Sequence, residues 1–161
     1  GRRLNYYLKL RNNETRADLK RIVKNPRNSR ERKIKKKFND IYRYHFIGFI
    51  AEACMHNLLG ADWHLVFKYN AIKSYGSPDG YVNGITFDVK TRIKNREGLS
   101  VYKPHFAYYI LCHYYGGLLH FVGYSTLKRL TAKHPNMYGR HTLTMHELNS
   151  IEDFVARFKK V

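Results

Sequence analysis

An Asn-Gly pair at residues 83 and 84 constrains the local fold more than any other short stretch of the chain. Both residue types tolerate the positive φ angles of a type I′ turn, which commonly links two antiparallel strands. The flanking residues, 81–82 and 85–89, are rich in β-branched and aromatic types. The sequence therefore predicts a β-hairpin in which Val82 lies opposite Ile85.

The same register places three charged side chains on one face of the hairpin. Asp79 lies opposite Asp88, with Cβ atoms about 4.5–5.5 Å apart, and Lys90 follows two residues later on the same face. Because opposed like charges destabilise a strand pair, the arrangement calls for a bound cation. Mg²⁺ commonly uses one or two carboxylates together with substrate phosphates. The alternative is a solvated hairpin whose acids and lysine face water.

A third carboxylate, Glu52, lies on the strongest helical pattern of the chain, residues 41–59. Apolar residues recur there at helical spacing, and Gly60 suits the position after the C-terminus. Glu52 is one of few charges on the second half of this helix. It is either a half-exposed structural residue or a third carboxylate directed at the same cation as the hairpin.

These features together resemble the PD-(D/E)xK nuclease signature. Pro78-Asp79, eight intervening residues and Asp88-Val89-Lys90 match its motif, and Gly48-Phe49-Ile50-Ala51-Glu52 fits the helical glutamate upstream. The resemblance covers residues 41–126. The family includes restriction enzymes, some homing endonucleases, Holliday-junction resolvases and repair nucleases.

The resemblance implies an α/β (α+β) fold with a restriction-endonuclease-like core, a mixed central sheet flanked by helices. It also implies a metal-dependent endodeoxyribonuclease that hydrolyses phosphodiester bonds with Mg²⁺, or with Mn²⁺ in its place. Asp79, Asp88 and the Val89 carbonyl would hold the ion, with Glu52 assisting. Lys90 would orient or activate the attacking water and stabilise the charge of the transition state.

The net charge of +18 predicts a polyanionic partner. Residues 1–45 contain 16 of the 30 Lys and Arg but four of the 12 Asp and Glu, so they carry +12. Nucleic acid fits this excess better than a membrane surface, because no Lys/Arg-rich helix here has a clean apolar face. The basic run, residues 27–37, is either a phosphate-contacting arm or helix, or a solvated helix face or disordered arm. The candidate DNA-binding residues are Arg27, Arg30, Arg32, Lys33, Lys35, Lys36, Lys37, Lys94 and Lys103.

We expect a basic helical N-terminal arm, residues 1–40, and a nuclease core, residues 41–161, in a single compact domain overall. No apolar run approaches the roughly 18 residues of a membrane span, and no apolar segment of a signal peptide follows the basic N-terminus. Cys54 and Cys112 make neither a disulfide framework nor a zinc site. These observations predict an intracellular, cytoplasmic protein.

The remaining elements are predicted from periodicity and capping residues. Three helices are expected, with N-caps at Thr15, at Ser125 or Thr126, and at Ser150: residues 16–24, 127–131 and 151–159. Four strands are expected, the last at a sheet edge: residues 63–70, 106–114, 118–124 and 142–145. A polar loop is expected over residues 94–100.

The expected function is site-specific cleavage of double-stranded DNA by a homing or restriction-type endonuclease. A homodimer or higher homo-oligomer is expected, because two copies of one site can cut two strands. Three alternatives stay open: a structure-specific Holliday-junction resolvase, a non-catalytic nucleic-acid-binding module with a vestigial hairpin, and a ribonuclease or RNA-binding protein. A RecB-like exonuclease is disfavoured, since that branch typically has a Gln-x-x-x-Tyr motif and this chain contains no glutamine.

Overall fold

The structure, a computed structural model, describes residues 14–61 and 78–159. It is a mixed α+β fold that divides into two compact units, Gly1–Ile47 and Gly48–Val161. The boundary predicted after residue 40 falls inside a helix. The strand predicted over residues 63–70 lies outside the described residues. Among the described helices, none has the length and apolar character needed to cross a membrane.

The first unit contains α1, Arg16–Lys24, and the start of α2, Ser29–Leu58. The Thr15 side chain accepts a hydrogen bond from the Asp18 backbone N–H, which confirms the predicted cap. The two helices share a small apolar core formed by Leu19, Ile22, Ile34 and Phe38. Helical packing therefore organises the described part of the basic N-terminal region, from residue 14 onwards.

The start predicted for the long helix, residue 41, is wrong by 12 residues, because α2 begins at Ser29. The basic run before residue 41 consists largely of Lys and Arg, which are good helix formers. Ile34, inside this run, and Phe38, directly after it, lie on one face of the helix and are buried. The apolar stripe of the helix therefore continues backwards through the charged stretch.

The second unit is built on a mixed four-stranded sheet in the order β1-β2-β4-β5. The strands are β1 Gly80–Val82, β2 Ile85–Arg92, β4 Tyr108–Tyr115 and β5 Leu118–Thr126. Strands β2 and β4 are parallel, whereas the other neighbours are antiparallel. Asn83 and Gly84 have φ angles of 50° and 77°, as the type I′ turn requires, and Val82 pairs with Ile85 as predicted.

Shorter elements surround this sheet. Strands β3, Leu99–Tyr102, and β6, Arg140–Leu143, form a separate antiparallel pair. Helices α3, Leu127–Thr131, and α4, Ile151–Phe158, are capped by Thr126 and Ser150, as predicted. A 3₁₀ turn spans Met145–Glu147. The last strand begins two residues earlier than predicted, and β3 begins inside the predicted 94–100 loop, because the two strands pair with each other.

The sheet separates two packing layers of the second unit. Phe87 and Val89 on β2 face a core that includes Ala51 and Met55 of α2 and Phe154 of α4. Side chains alternate along β2, so Asp88 and Lys90 lie on the opposite face of the sheet. Tyr109 and Leu111, which pair with them on β4, lie on that face too. Those two residues pack in a second core with residues of β3, β6 and α3. The charged motif therefore lies on the β3–β6 side of the sheet.

Candidate active site

The β1–β2 hairpin pairs as predicted from Val82–Ile85 to Gly80–Phe87. Beyond that last pair, the Asp79 N–H donates to the Phe87 carbonyl at 3.0 Å, and the carboxyl groups of Asp79 and Asp88 lie within hydrogen-bonding contact of each other. The Val89 N–H donates to Asp79 Oδ2 at 2.7 Å. A backbone hydrogen bond therefore holds the Asp79 carboxylate beside the strand that carries Asp88.

Asp88 is 6% exposed and has an unusual set of partners. Lys90 Nζ lies 2.6 Å from Asp88 Oδ2, but this oxygen has no hydrogen-bond donor in good geometry among the described residues. Burial raises the pKa of Asp88 to about 7, with further contributions from the charge of Asp79 and from hydrogen bonding to it. Lys90 opposes this shift only in part.

Tight packing at Gly80 fixes the position of the hairpin. A Cβ on Gly80 would lie 2.6 Å from Phe87 Cε1 and 2.9 Å from His56 Cε1, so no larger residue fits without displacement. The rings of His56 and Phe87 lie 5.5 Å apart, centroid to centroid. Phe87 is fully buried and directly precedes Asp88 in β2. The packing between α2 and the hairpin therefore orients the acidic pair.

Glu52 lies one helical turn before His56 on α2 and is 9% exposed. Its carbonyl lies 2.8 Å from His56 Nδ1, so the helix that carries Glu52 contacts the hairpin through His56. The second half of α2 packs on the sheet face opposite to that of Asp88. Among the described residues, no three His, Cys, Asp or Glu side chains are grouped to hold one ion. The role of Glu52 as a third ligand stays a prediction.

The residues at the hairpin fit a hard divalent cation. Asp79 and Asp88 supply carboxylate oxygens, and Asp88 Oδ2 is a buried oxygen that lies 2.6 Å from Lys90 Nζ. Two carboxylates are the protein share that Mg²⁺ commonly uses when a substrate phosphate supplies further oxygens. The Val89 carbonyl as an additional ligand stays a prediction. The arrangement can hold one positive ion beside one ammonium group.

The basic run belongs to the first unit, at the start of α2. Its Lys and Arg side chains are exposed, except that Lys35 is half-buried. The single acid of the run, Glu31, accepts hydrogen bonds from both terminal nitrogens of Arg21, at 2.6 and 3.1 Å, and from the Arg27 N–H. Arg30 forms an ion pair with Glu14. The other two candidate DNA-binding residues, Lys94 and Lys103, lie in the second unit and are both exposed.

Two arginines that sequence reasoning did not select also lie near the motif strand. Arg92 follows Lys90 by two residues and therefore shares its face of β2, a signal that the sequence contains. Arg140, on β6, reaches the same region through the β3–β6 pairing, which has no local signature in the sequence.

Comparisons of the chain with protein-family models, with curated proteins and with solved structures return no match. The geometry and charge of its own residues therefore carry the functional argument.

Proposed function

We propose that the protein is a Mg²⁺-dependent DNA endonuclease of the PD-(D/E)xK type, centred on Asp79, Asp88 and Lys90. One observation carries the proposal: a carboxylate pair on a tightly packed hairpin, with an ammonium nitrogen 2.6 Å from the buried Asp88. A solvated hairpin would leave Asp88 in water, whereas its residue is 6% exposed. Burial of a carboxylate beside another carboxylate is costly without a compensating cation.

The proposed roles follow from the positions of the side chains. Asp79 and Asp88 would hold the ion. Glu52, whose helix packs on the other face of the sheet, and the Val89 carbonyl are further ligands that the resemblance implies. When bound, Mg²⁺ supplies positive charge to a phosphate and lowers the pKa of a water molecule. The Lys90 ammonium has three N–H donors and a side chain that is 33% exposed. It is therefore placed to donate to an attacking water or to a phosphate oxygen as negative charge develops.

Double-stranded DNA is the proposed substrate, because a net charge of +18 favours a polyanion and the exposed basic run supplies phosphate contacts. We propose site-specific cleavage by a homodimer or higher homo-oligomer, in the manner of a homing or restriction enzyme. A junction resolvase uses the same hairpin chemistry and differs in the DNA that it selects.

The test is cleavage of supercoiled plasmid and of branched DNA, with Mg²⁺, with Mn²⁺ or with EDTA. Asp88→Asn and Lys90→Met should each lower the cleavage rate by about 100-fold or more while DNA binding persists. Asp40→Asn, which removes an exposed acid of α2, is the matched control and should leave the rate unchanged. Discrete plasmid fragments support the site-specific enzyme, and cutting of junctions alone supports a resolvase.

DNA binding without cleavage would contradict the proposal. If the wild-type protein binds DNA but cleaves none of these substrates with either metal, the catalytic proposal fails. The protein is then a nucleic-acid-binding module.

A further inference from the structure

A cavity of about 750 Å³ opens between the end of β2 and the β3–β6 pair. Its walls are formed by residues of the second unit and include six charged side chains. They are Arg92, Arg96, Lys133 and Arg140, with Glu97 and Glu147. The cations outnumber the carboxylates by two, so the cavity favours an anion.

Two guanidinium groups of this cavity donate hydrogen bonds to the same backbone carbonyl. Arg92 Nη2 lies 3.2 Å from the Ser100 carbonyl oxygen, and Arg140 Nη2 lies 3.1 Å from the same atom. Arg140 Nε also donates to Ser100 Oγ at 2.7 Å. Within the described part of the chain, these bonds use one N–H of Arg92 and two of Arg140, out of five on each group. Donors therefore remain for a ligand that accepts several hydrogen bonds.

The carboxylates of the cavity neutralise this pair only in part. Glu97 Oε2 lies 3.9 Å from Arg92 Nε, beyond hydrogen-bond distance, and Glu147 pairs with Lys133 instead. Burial is the main cause that lowers the pKa of Arg92; the charge of Glu97 opposes this shift, and the like charge of Arg140 adds to it. An anion between the two groups would relieve the repulsion between these like charges.

The cavity adjoins the proposed active site along β2. Asp88, Lys90 and Arg92 alternate on one face of this strand, so the Cα atoms of Asp88 and Arg92 are separated by about 13 Å at about 3.3 Å per residue. Duplex DNA rises about 3.4 Å per base step. A phosphate in the cavity would therefore lie within about four nucleotides of a phosphate at Asp88.

We propose that this cavity binds a backbone phosphate of the DNA strand being cut, held by Arg92 and Arg140. The phosphate would fix the strand relative to the acidic pair, and the two arginines would be binding and positioning residues. Guanidinium groups suit this role, because their planar donor sets match phosphate oxygens. The identity of the ligand as nucleic acid rests on the proposed function. A free phosphate or nucleotide has the same chemistry and is separated by the test.

The test is binding of a fluorescent DNA duplex in EDTA, measured at several salt concentrations. Arg140→Met should weaken binding by about tenfold, since a charged hydrogen-bonded contact is lost. It should also reduce the slope of log affinity against log salt concentration by about 0.9. Lys133→Met, whose side chain is 60% exposed, should lower affinity and slope without disturbing the β3–β6 pair. Lys128→Met is the matched control, because Lys128 is exposed on α3 outside the cavity.

Phosphate ethylation interference locates the contact. Ethylation of one phosphate within about four nucleotides of the cut should impair binding of the wild type but not of Arg140→Met. Thermal unfolding of each variant shows whether it is folded. If folded Arg140→Met and Lys133→Met variants keep the wild-type affinity and salt slope, the inference is overturned.

Two further outcomes distinguish a DNA phosphate site from a site for a free anion, and this inference from the nuclease proposal. If inorganic phosphate binds the wild type but not Arg140→Met, while DNA affinity is the same in both, the cavity takes a free anion and the DNA assignment is overturned. If the wild type cleaves no DNA but Arg140→Met loses both affinity and salt slope, the nuclease proposal fails and the phosphate site stands.

Discussion

Two carboxylates in this chain are equally buried, yet their protonation behaviour is opposite. Glu31 in the helical unit and Asp88 in the hairpin are each 6% exposed. The pKa of Glu31 is lowered to about 2, chiefly by hydrogen bonds from the Arg21 side chain and the Arg27 backbone. The pKa of Asp88 is raised to about 7 by burial and by Asp79. Low exposure alone therefore does not decide the charge of a carboxylate.

The difference lies in burial, which is the largest cause of the Asp88 shift and a minor one for Glu31, and in the partners that each unit supplies. Glu31 receives three hydrogen bonds on its two oxygens, so its ionised form is stabilised within the fold. Asp88 has an ammonium at one oxygen but also a second carboxylate beside it. The first arrangement is a structural ion pair, whereas the second places two carboxylates beside one ammonium group. Perturbed carboxylates of the second kind concentrate at functional sites.

The largest expected effect concerns stability against pH, measured in EDTA by denaturant unfolding. Asp88 has a pKa of about 7 in the folded protein against an ordinary value of 3.8. Between these values the unfolded chain releases the proton first, so the free energy of unfolding falls as pH rises. The loss of stability caused by ionised, buried Asp88 is fully present above pH 7. Asp88→Asn should therefore be more stable than the wild type at pH 8, by a few kcal/mol, and this advantage should vanish near pH 4.

Glu31→Gln is the counterpart in the helical unit and should have the opposite sign. Glu31 has a lowered pKa, so it adds stability above its ordinary value of 4.5, and this contribution is lost as pH falls towards 2. Glu31→Gln should therefore be less stable than the wild type at neutral pH, with a difference that shrinks in acid. Equal pH profiles for the two variants would contradict the comparison.

The next effect is on metal affinity, measured by calorimetric titration with Mg²⁺ or Mn²⁺. Because Asp88 must lose its proton to bind a cation, affinity should fall about tenfold for each pH unit below 7. Glu31→Gln should keep this profile, since its carboxylate has arginine partners and takes no part in binding. A metal affinity that is independent of pH between 5 and 7 would show that Asp88 is not a ligand.

The smallest effect concerns two glycines of the second unit, and it tests whether packing positions the hairpin. Gly80→Ala should destabilise the protein by about 1–3 kcal/mol, because the new Cβ meets Phe87 and His56. Gly48→Ala, on α2, is the matched control. Among the described residues, no atom beyond the local helix backbone lies within 4 Å of its added Cβ, so it should be neutral or stabilising by up to about 1 kcal/mol. Thermal unfolding and the cleavage rate would be measured for both variants. Equal stability of the two variants would show that the hairpin does not depend on this contact.

Sequence by itself determined the features that depend on neighbouring residues. The Asn83-Gly84 turn and the alternation of side chains set the register of Asp79 and Asp88, because a two-residue loop leaves one pairing. Sequence predicts Thr15 and Ser150 as helix caps and narrows the third cap to Ser125 or Thr126, because a cap needs only a hydroxyl and the backbone N–H groups that follow it. Each cap spans three residues, and the hairpin pairing follows from a turn of two residues.

Only the tertiary structure decided the features that join distant parts of the chain. Asp88 is buried because β2 pairs with β4 and lies beneath the layer that contains β3 and β6. The geometry of the hairpin predicts neither of these contacts. Arg140 reaches Ser100 across 40 residues of sequence. Such contacts depend on which apolar faces cover each other when the whole chain folds. Local pattern therefore predicted which charges share the hairpin, and long-range packing decided which of them would be buried.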